Sequence, residues 1–171
     1  MKSKQVKESN TIMTEMVMPN DTNPLGNLKG GNLMRWMDIA GGICAGKHCE
    51  ANVVTASVDH VSFQKPVASG DVLTIKANVT RAFNTSIEIY VEVFAHDMKG
   101  GNPRRCNHAY FTFVAVDDVT KKPIKVPPIV PLTNEEQKLF DGAKRRRELR
   151  LILSGRMKPE DAAELKELFL G

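Results

Sequence analysis

No apolar run in the sequence approaches the roughly 18–20 residues that a helix needs to cross a bilayer, so no membrane role is expected. The polar, charged opening Met1–Asn10 lacks the apolar stretch of a secretory signal. Three cysteines (Cys44, Cys49 and Cys106) cannot pair completely and show no CxxC spacing, which predicts reduced thiols and a cytoplasmic location. Aromatic residues make up only 6 % of the chain and no stacking motif accompanies a basic stretch, so nucleic acid is not an expected partner. The four histidines (His48, His60, His96 and His108) have no ligand spacing and HExxH is absent, so no metal is expected. The GxSxG elbow, the P-loop and the dinucleotide fingerprint are also missing, which removes the commonest serine-hydrolase and nucleotide-dependent chemistries. Cys44 sits among apolar residues at helical spacing and reads as a small core residue rather than a nucleophile.

What is present is an ordinary globular mixture: 171 residues, 42 % hydrophobic and 26 % charged, enough for one domain with a short appendage. Residues 1–10 show no apolar periodicity and predict a disordered arm; residues 11–120 carry the patterned core; residues 121–171 form a proline-rich tether and C-terminal helices. The net charge of +4 is mild but uneven, because Lys144, Arg145, Arg146, Arg147 and Arg150 crowd one stretch. That run reads as a solvated helix face or as a phosphate contact. Thr133, with Glu136 three residues later, is a capping box that predicts a helix from about Asn134 to Leu153.

Two periodicities divide the patterned core. In Asn32–His48, Leu33, Met34, Trp36, Met37, Ile39, Ala40, Ile43 and Cys44 occupy nearly every side of a helical wheel, which predicts a buried helix. Gly41 and Gly42 each cost about 1 kcal/mol relative to alanine there, so something is expected to approach that backbone closely. Before the helix, Thr11–Met18 predicts a short strand. After it the period becomes two: Leu73, Ile75, Ala77 and Val79, then Ile87, Ile89, Val91 and Val93, alternate with polar neighbours. Ala51–Phe63 and Cys106–Val116 also read as strands, and short connections at Pro66–Asp71, Phe83–Thr85 and Asp97–Pro103 predict antiparallel neighbours. One apolar helix hides its surface best inside a curved sheet, so the predicted class is α+β: a hotdog fold, with an antiparallel sheet wrapped around one long central helix.

Asp38 is the most informative polar residue, because a carboxylate in an apolar helix needs a partner. It reads as a general base for water or as half of an ion pair with Arg35. Immediately upstream, Lys29-Gly30-Gly31-Asn32 leads into the helix, where free backbone N–H groups can hold a developing oxyanion. Asn23, in the loop before, offers a further amide or simply a turn before Pro24.

The stretch Asn20–Gly42, NDTNPLGNLKGGNLMRWMDIAGG, resembles the signature of hexameric hotdog acyl-CoA hydrolases, which include bacterial enzymes and the brain-type cytosolic hydrolases of animals. The matching positions are Asn23, Gly26, Asn27, Gly30, Gly31, Met37 and Asp38. Val58–Phe63, Lys65-Pro66-Val67, Gly70-Asp71, Arg81 and Thr85–Glu88 resemble the same family, and the likeness runs from about Thr11 to Val116.

The resemblance implies hydrolysis of fatty acyl-CoA to fatty acid and CoA in a homodimer of hotdogs, commonly three such dimers, with sites between subunits. Asp38 would be the base, Asn23 of the facing subunit its partner, and Gly30 and Gly31 the oxyanion donors, while Thr55 would hydrogen-bond the attacking water. The CoA arm would follow Arg81, Thr85 and Ser86, with Lys65, Arg81 or the Lys144–Arg147 run meeting its phosphates. No cofactor is implied, since CoA is part of the substrate. Relatives often carry an aromatic residue where this chain has Lys29, which bears on the shape of the acyl pocket. Two other readings use the same fold: an acyl-CoA-binding module without turnover, and a dehydratase, for which the expected loop histidine is missing.

Overall fold

The alternating segments all become strands, and the wheel of apolar residues becomes the helix they enclose. The structure is a computed structural model, and it describes residues 1–170. In chain order the elements are β1 (Lys4–Gln5), β2 (Thr11–Met16), α1 (Gly30–Cys49), β3 (Asn52–Phe63), β4 (Val72–Ala82), β5 (Ser86–His96), β6 (Arg104–Val116), β7 (Ile129–Val130), α2 (Asn134–Leu153) and α3 (Ala163–Leu170). The chain divides into two units, Met1–Val130 and Pro131–Gly171.

In the first unit, five strands form one antiparallel sheet in the order β2-β4-β5-β6-β3, and α1 packs on its inner face. Leu73, Ile75, Ala77, Ile87, Ile89, Val91 and Val93 are fully or almost fully buried beneath α1, as the period of two requires. This is the hotdog arrangement that the pattern predicts. Phe113 of β6 explains one of the helix glycines. A Cβ on Gly41 would lie 3.0 Å from the Phe113 ring, tight enough that the ring would have to shift.

Four expectations change. The short connection at Pro66–Asp71 does not join sheet neighbours: β3 lies at one edge and β4 three places away, beside β2. Three strand spacings amount to about 14 Å, which the connector spans easily when extended. The N-terminal arm is ordered. Lys4–Gln5 pairs in parallel with Ile129–Val130, Val6 and Ser9 are buried, and Lys4 Nζ reaches Glu50 at 2.5 Å. The "tether" at 121–130 belongs to the first unit rather than to the tail, since Val126, Pro127 and Ile129 are buried and the Pro127 carbonyl meets His48 Nε2 at 2.8 Å. Polar composition argued for disorder, but a few buried apolar side chains and the short ladder between the two segments suffice to order both.

The fourth change concerns α1 itself. Leu33, Trp36, Met37, Ala40, Gly41, Cys44, Ala45 and His48 are buried, but the sheet curls around one side only. Ile39 and Ile43 remain 38 % and 43 % exposed. The helix is therefore apolar all round without being enclosed all round. Large apolar residues left open on the edge strand, Val54 and Phe63, continue the same surface.

In the second unit, α2 begins with the capping box: Thr133 Oγ1 accepts from the Glu136 N–H at 3.1 Å, and Glu136 accepts in return from the Thr133 N–H. Glu148 of α2 accepts from the first N–H groups of α3, at Glu164 and Leu165, satisfying donors at that helix start. Lys144 pairs with Glu164 at 2.8 Å, and Arg146 donates to the Leu139 carbonyl. Part of the basic run is thus engaged within its own unit.

Candidate active site

Asp38 stands on α1 at the border between the buried and the open face, and is partly exposed. Its Oδ1 accepts a 2.7 Å hydrogen bond from Thr55 Oγ1 on β3, rather than pairing with Arg35. The register of β3 against β6 shifts between Thr55 and Ser57. Such an irregularity re-aims the side chains beside it, here next to the carboxylate. One carboxylate oxygen is committed to Thr55, which leaves the other for a water molecule.

Asp38 and Thr55 open onto a groove of about 390 Å³ between α1 and β3, whose further lining includes Ile39, Gly42, Ile43, Gly46, Val53 and Phe113. A second cavity, of about 200 Å³, lies at the start of the helix and is lined by Leu28, Gly30, Leu33, Phe63, Lys65 and Val67, among others. The two cavities sit along the same helix-and-strand seam, because α1 and β3 run in opposite directions: Gly30 meets Phe63, and Gly46 meets Ala51.

At the opening of α1 the N–H groups of Asn32 and Leu33 turn back to the Lys29 carbonyl at 3.1 and 3.2 Å. Those of Gly30 and Gly31 are left at the positive end of the helix. Gly31 is exposed, and Gly30 lies against Phe63, whose ring would be 3.3 Å from a Cβ there. Gly31 and Asp38 are seven residues apart, close to two full turns, so they share a face at an axial separation of about 10 Å.

Asn23 is held by turn chemistry. Its Oδ1 accepts from the N–H groups of Leu25 and Asn27 at 3.0 and 3.2 Å, which fixes the side chain. It lines neither cavity of its own chain. Lys65 and Gly30 do meet, in the smaller cavity. Arg81, Thr85 and Ser86 do not join them. Arg81 lies beneath the Phe83 ring, 6.0 Å from its centroid, and Ser86 is in register with Val114, at the other end of the sheet from Phe63.

Gly42, where a close neighbour of the backbone was expected, and Gly46, which was not singled out, both line the groove, at four-residue spacing from Asp38. Cys44 and Cys49 line neither cavity. Burial pushes the Cys44 thiol up to about 12 and the Cys49 thiol up to about 11, so both stay protonated and inert at neutral pH. Among the described residues no group of three or more His, Cys, Asp or Glu side chains could hold a metal ion. No described helix is long and apolar enough to cross a membrane.

With this geometry in place, comparison with known proteins is informative. The thioesterase superfamily model matches residues 25–101. An uncharacterized acyl-CoA thioester hydrolase of Bacillus subtilis, YkhA, is 38 % identical over 140 residues, covering 82 % of this chain and 81 % of its own. A solved apo hexameric acyl-CoA thioesterase is 37 % identical with a TM-score of 0.86, covering 90 % of this chain and 98 % of its own. The acyl-CoA hydrolase of Staphylococcus aureus, solved with butyryl coenzyme A, coenzyme A and coenzyme A disulfide, is 37 % identical with a TM-score of 0.83, over 90 % and 95 % of the two chains. Variants of that enzyme in which an aspartate, a threonine or an asparagine is replaced by alanine have also been solved. The three replaced residues are spaced along their chain as Asp38, Thr55 and Asn23 are along this one. Some relatives are longer. The chain spans 37 % of the rat cytosolic acyl coenzyme A thioester hydrolase and 24 % of mouse acyl-coenzyme A thioesterase 11, at 37 % and 35 % identity over 82 % and 85 % of this chain.

Proposed function

We infer the reaction from one premise: the chain belongs to the thioesterase superfamily, and it is an enzyme that hydrolyses acyl-CoA thioesters. Asp38 is the general base of that hydrolysis. The observation that carries the assignment is its hydrogen bond to Thr55 at the head of an apolar groove. The matching spacing of the three residues replaced in the Staphylococcus enzyme supports it.

The free Asp38 oxygen takes a proton from water as the water oxygen attacks the thioester carbon. The carbonyl oxygen gains the negative charge and is held by N–H groups at Gly30 and Gly31. The 10 Å between Gly31 and Asp38 leaves room for one water molecule and one carbonyl in line. The intermediate then collapses, the carbon–sulfur bond breaks, and the thiolate of CoA leaves with the proton that Asp38 had taken. Thr55 fixes the carboxylate and is a positioning residue. The thioester is already activated, so a base, an oxyanion site and good positioning suffice, with no cofactor or metal in the mechanism.

The same reading makes the enzyme a homodimer that assembles further into a hexamer. β3 is an edge strand of the sheet, paired on one side only, with apolar Val54 and Phe63 exposed beside the open Ile39 and Ile43. Such an edge favours pairing with a second copy. Asn23 faces neither cavity of its own chain, so its amide acts on the neighbouring subunit's thioester. Lys65 meets CoA phosphates at the smaller cavity, and Arg81, Thr85 and Ser86 meet CoA across a subunit boundary. The location is cytoplasmic, in keeping with three unpaired thiols.

The test is thiol release from a panel of acyl-CoAs by the wild type and by Asp38→Asn. Robust release that falls at least a hundredfold in a folded variant supports the assignment; near-wild-type turnover by Asp38→Asn refutes Asp38 as base. Binding of acyl-CoA without any release by the wild type would leave a binding module in place of an enzyme.

A further inference from the structure

We infer that Asp71 and Arg104 form a positioning pair for the reaction: their ion pair holds the segment that carries Lys65 and, through it, the loop that carries Asn23. The inference rests on the thioesterase reading and deepens it.

Both of those side chains stand on backbone that lies outside the strands of the main sheet. Asn23 belongs to the loop between β2 and α1, and Lys65 follows the end of β3, where the chain crosses to β4, three places away. Irregular backbone of this kind keeps its place only through side chains and through bonds of its own.

The two segments are knitted to each other. The Leu28 N–H donates to the Val67 carbonyl at 2.7 Å and the Ser69 N–H to the Gly26 carbonyl at 3.2 Å, while Asn27 and Ala68 form an antiparallel bridge. Asn23 is part of the same knot. Its N–H donates to the Asn27 carbonyl at 2.8 Å, and its Oδ1 accepts from the Asn27 N–H at 3.2 Å. A shift of Ala68 is therefore passed to Asn27 and on to Asn23.

Asp71 ties this knot to the sheet. Its Oδ2 accepts from the Ala68 N–H at 3.0 Å and from Arg104 Nη2 at 2.6 Å, and the same nitrogen reaches the Pro66 carbonyl at 3.5 Å. Arg104 opens β6 and is in register with Ala95 of β5, so its backbone belongs to the sheet. Asp71 is only 9 % exposed. A carboxylate that far out of water needs a partner, and a charge-assisted bond there is screened less than one in open solvent.

The two contacts of the carboxylate have different uses. The bond from Ala68 closes the turn through Gly70, whose φ is +89°. The bond from Arg104 adds nothing to that turn; it fixes the distance between the turn and β6. Such fixing matters for the reaction, because a misplacement of about 1 Å can cost about a hundredfold in rate.

The experiment measures kcat and KM for the acyl-CoA that the wild type turns over fastest, together with amide hydrogen exchange. Asp71→Asn, which keeps the Ala68 bond and loses the charge, lowers kcat about tenfold and raises KM about threefold, and Arg104→Gln does the same. The milder Arg104→Lys, which keeps the charge, recovers most of both. In an Asn23→Ala background Asp71→Asn changes kcat by less than about twofold, and in a Lys65→Ala background it changes KM by less than about twofold, because the group it positions is already gone. The amides of Asn27, Leu28 and Ser69 exchange at least about tenfold faster in Asp71→Asn, while those of β5 keep their rates.

Full-sized effects in both backgrounds overturn the inference, as do unchanged kcat and KM in Asp71→Asn and Arg104→Gln. Unchanged exchange at the three loop amides overturns it without reference to turnover. Faster exchange throughout the sheet makes the pair a general stabiliser and overturns it too. Absence of hydrolysis in the wild type is a different failure, that of the thioesterase reading itself.

Discussion

The two faces of α1 are built from the same kinds of residue and do opposite work. On the buried face Gly41 lies against Phe113, with Met37, Ala40, Cys44 and Ala45 fully covered. On the open face Gly42 and Gly46 leave a groove, and Ile39 and Ile43 stand beside a carboxylate. Gly41 is needed because a Cβ there would lie 3.0 Å from the Phe113 ring; a Cβ on its neighbour Gly42 would meet that ring only at 3.7 Å, an ordinary contact. The contrast teaches that composition along a helix does not separate core from site. The position of the enclosing sheet does.

The largest effect should come from the one charged residue on that border. Asp38→Asn keeps the shape and the Thr55 partner but loses the base, so turnover should fall at least a hundredfold while the thermal melt stays near wild type. A matching fall in the melt would place Asp38 with the core instead. Next, alanine at the two adjacent glycines should split the faces. Gly41→Ala forces a Cβ within 3.0 Å of Phe113 and should cost about 1–3 kcal/mol in urea unfolding. Gly42→Ala should be neutral or stabilising by up to about 1 kcal/mol. Equal effects at both positions would erase the distinction.

Thr55→Ala should lower kcat about tenfold, about 1.4 kcal/mol, with KM little changed. A change confined to KM would make Thr55 a binding residue instead.

The smallest effect is a pH dependence at the buried end of the helix. Burial holds the His48 imidazole below its ordinary pKa, opposed by its hydrogen bond to the Pro127 carbonyl. Below pH about 6.5 the unfolded chain therefore binds a proton that the native protein refuses. Stability should fall as pH drops from about 7.5 toward the lowered native pKa, and should be flat above. His48→Gln, which keeps a donor for Pro127, should flatten the slope; an unchanged slope would assign it to other groups.

Much of this was legible in the residues. The period of two in β4 and β5, the capping box at Thr133 and Glu136, and the helix glycines all express short-range rules, in which backbone and near neighbours decide. Asp38 was legible because a carboxylate in an apolar helix demands a reason. The placement of Asn23 was only half legible. Its turn chemistry is local, whereas the proposed contact of its amide with a neighbouring subunit's thioester follows from no short-range rule. The ordered N-terminal arm and the buried Val126, Pro127 and Ile129 were illegible, because each segment has no partner until the other arrives.

By itself, then, the sequence determined the main strands and helices and the hotdog class, and it singled out Asp38, since spacing along the chain carries that information. Only the tertiary structure decided that β3 ends at the sheet edge, that the sheet leaves one face of α1 uncovered, and that Thr55 comes within 2.7 Å of Asp38. Those facts depend on pairings between residues far apart in the chain. The energy of such pairings resides in the assembled core, not in any local segment.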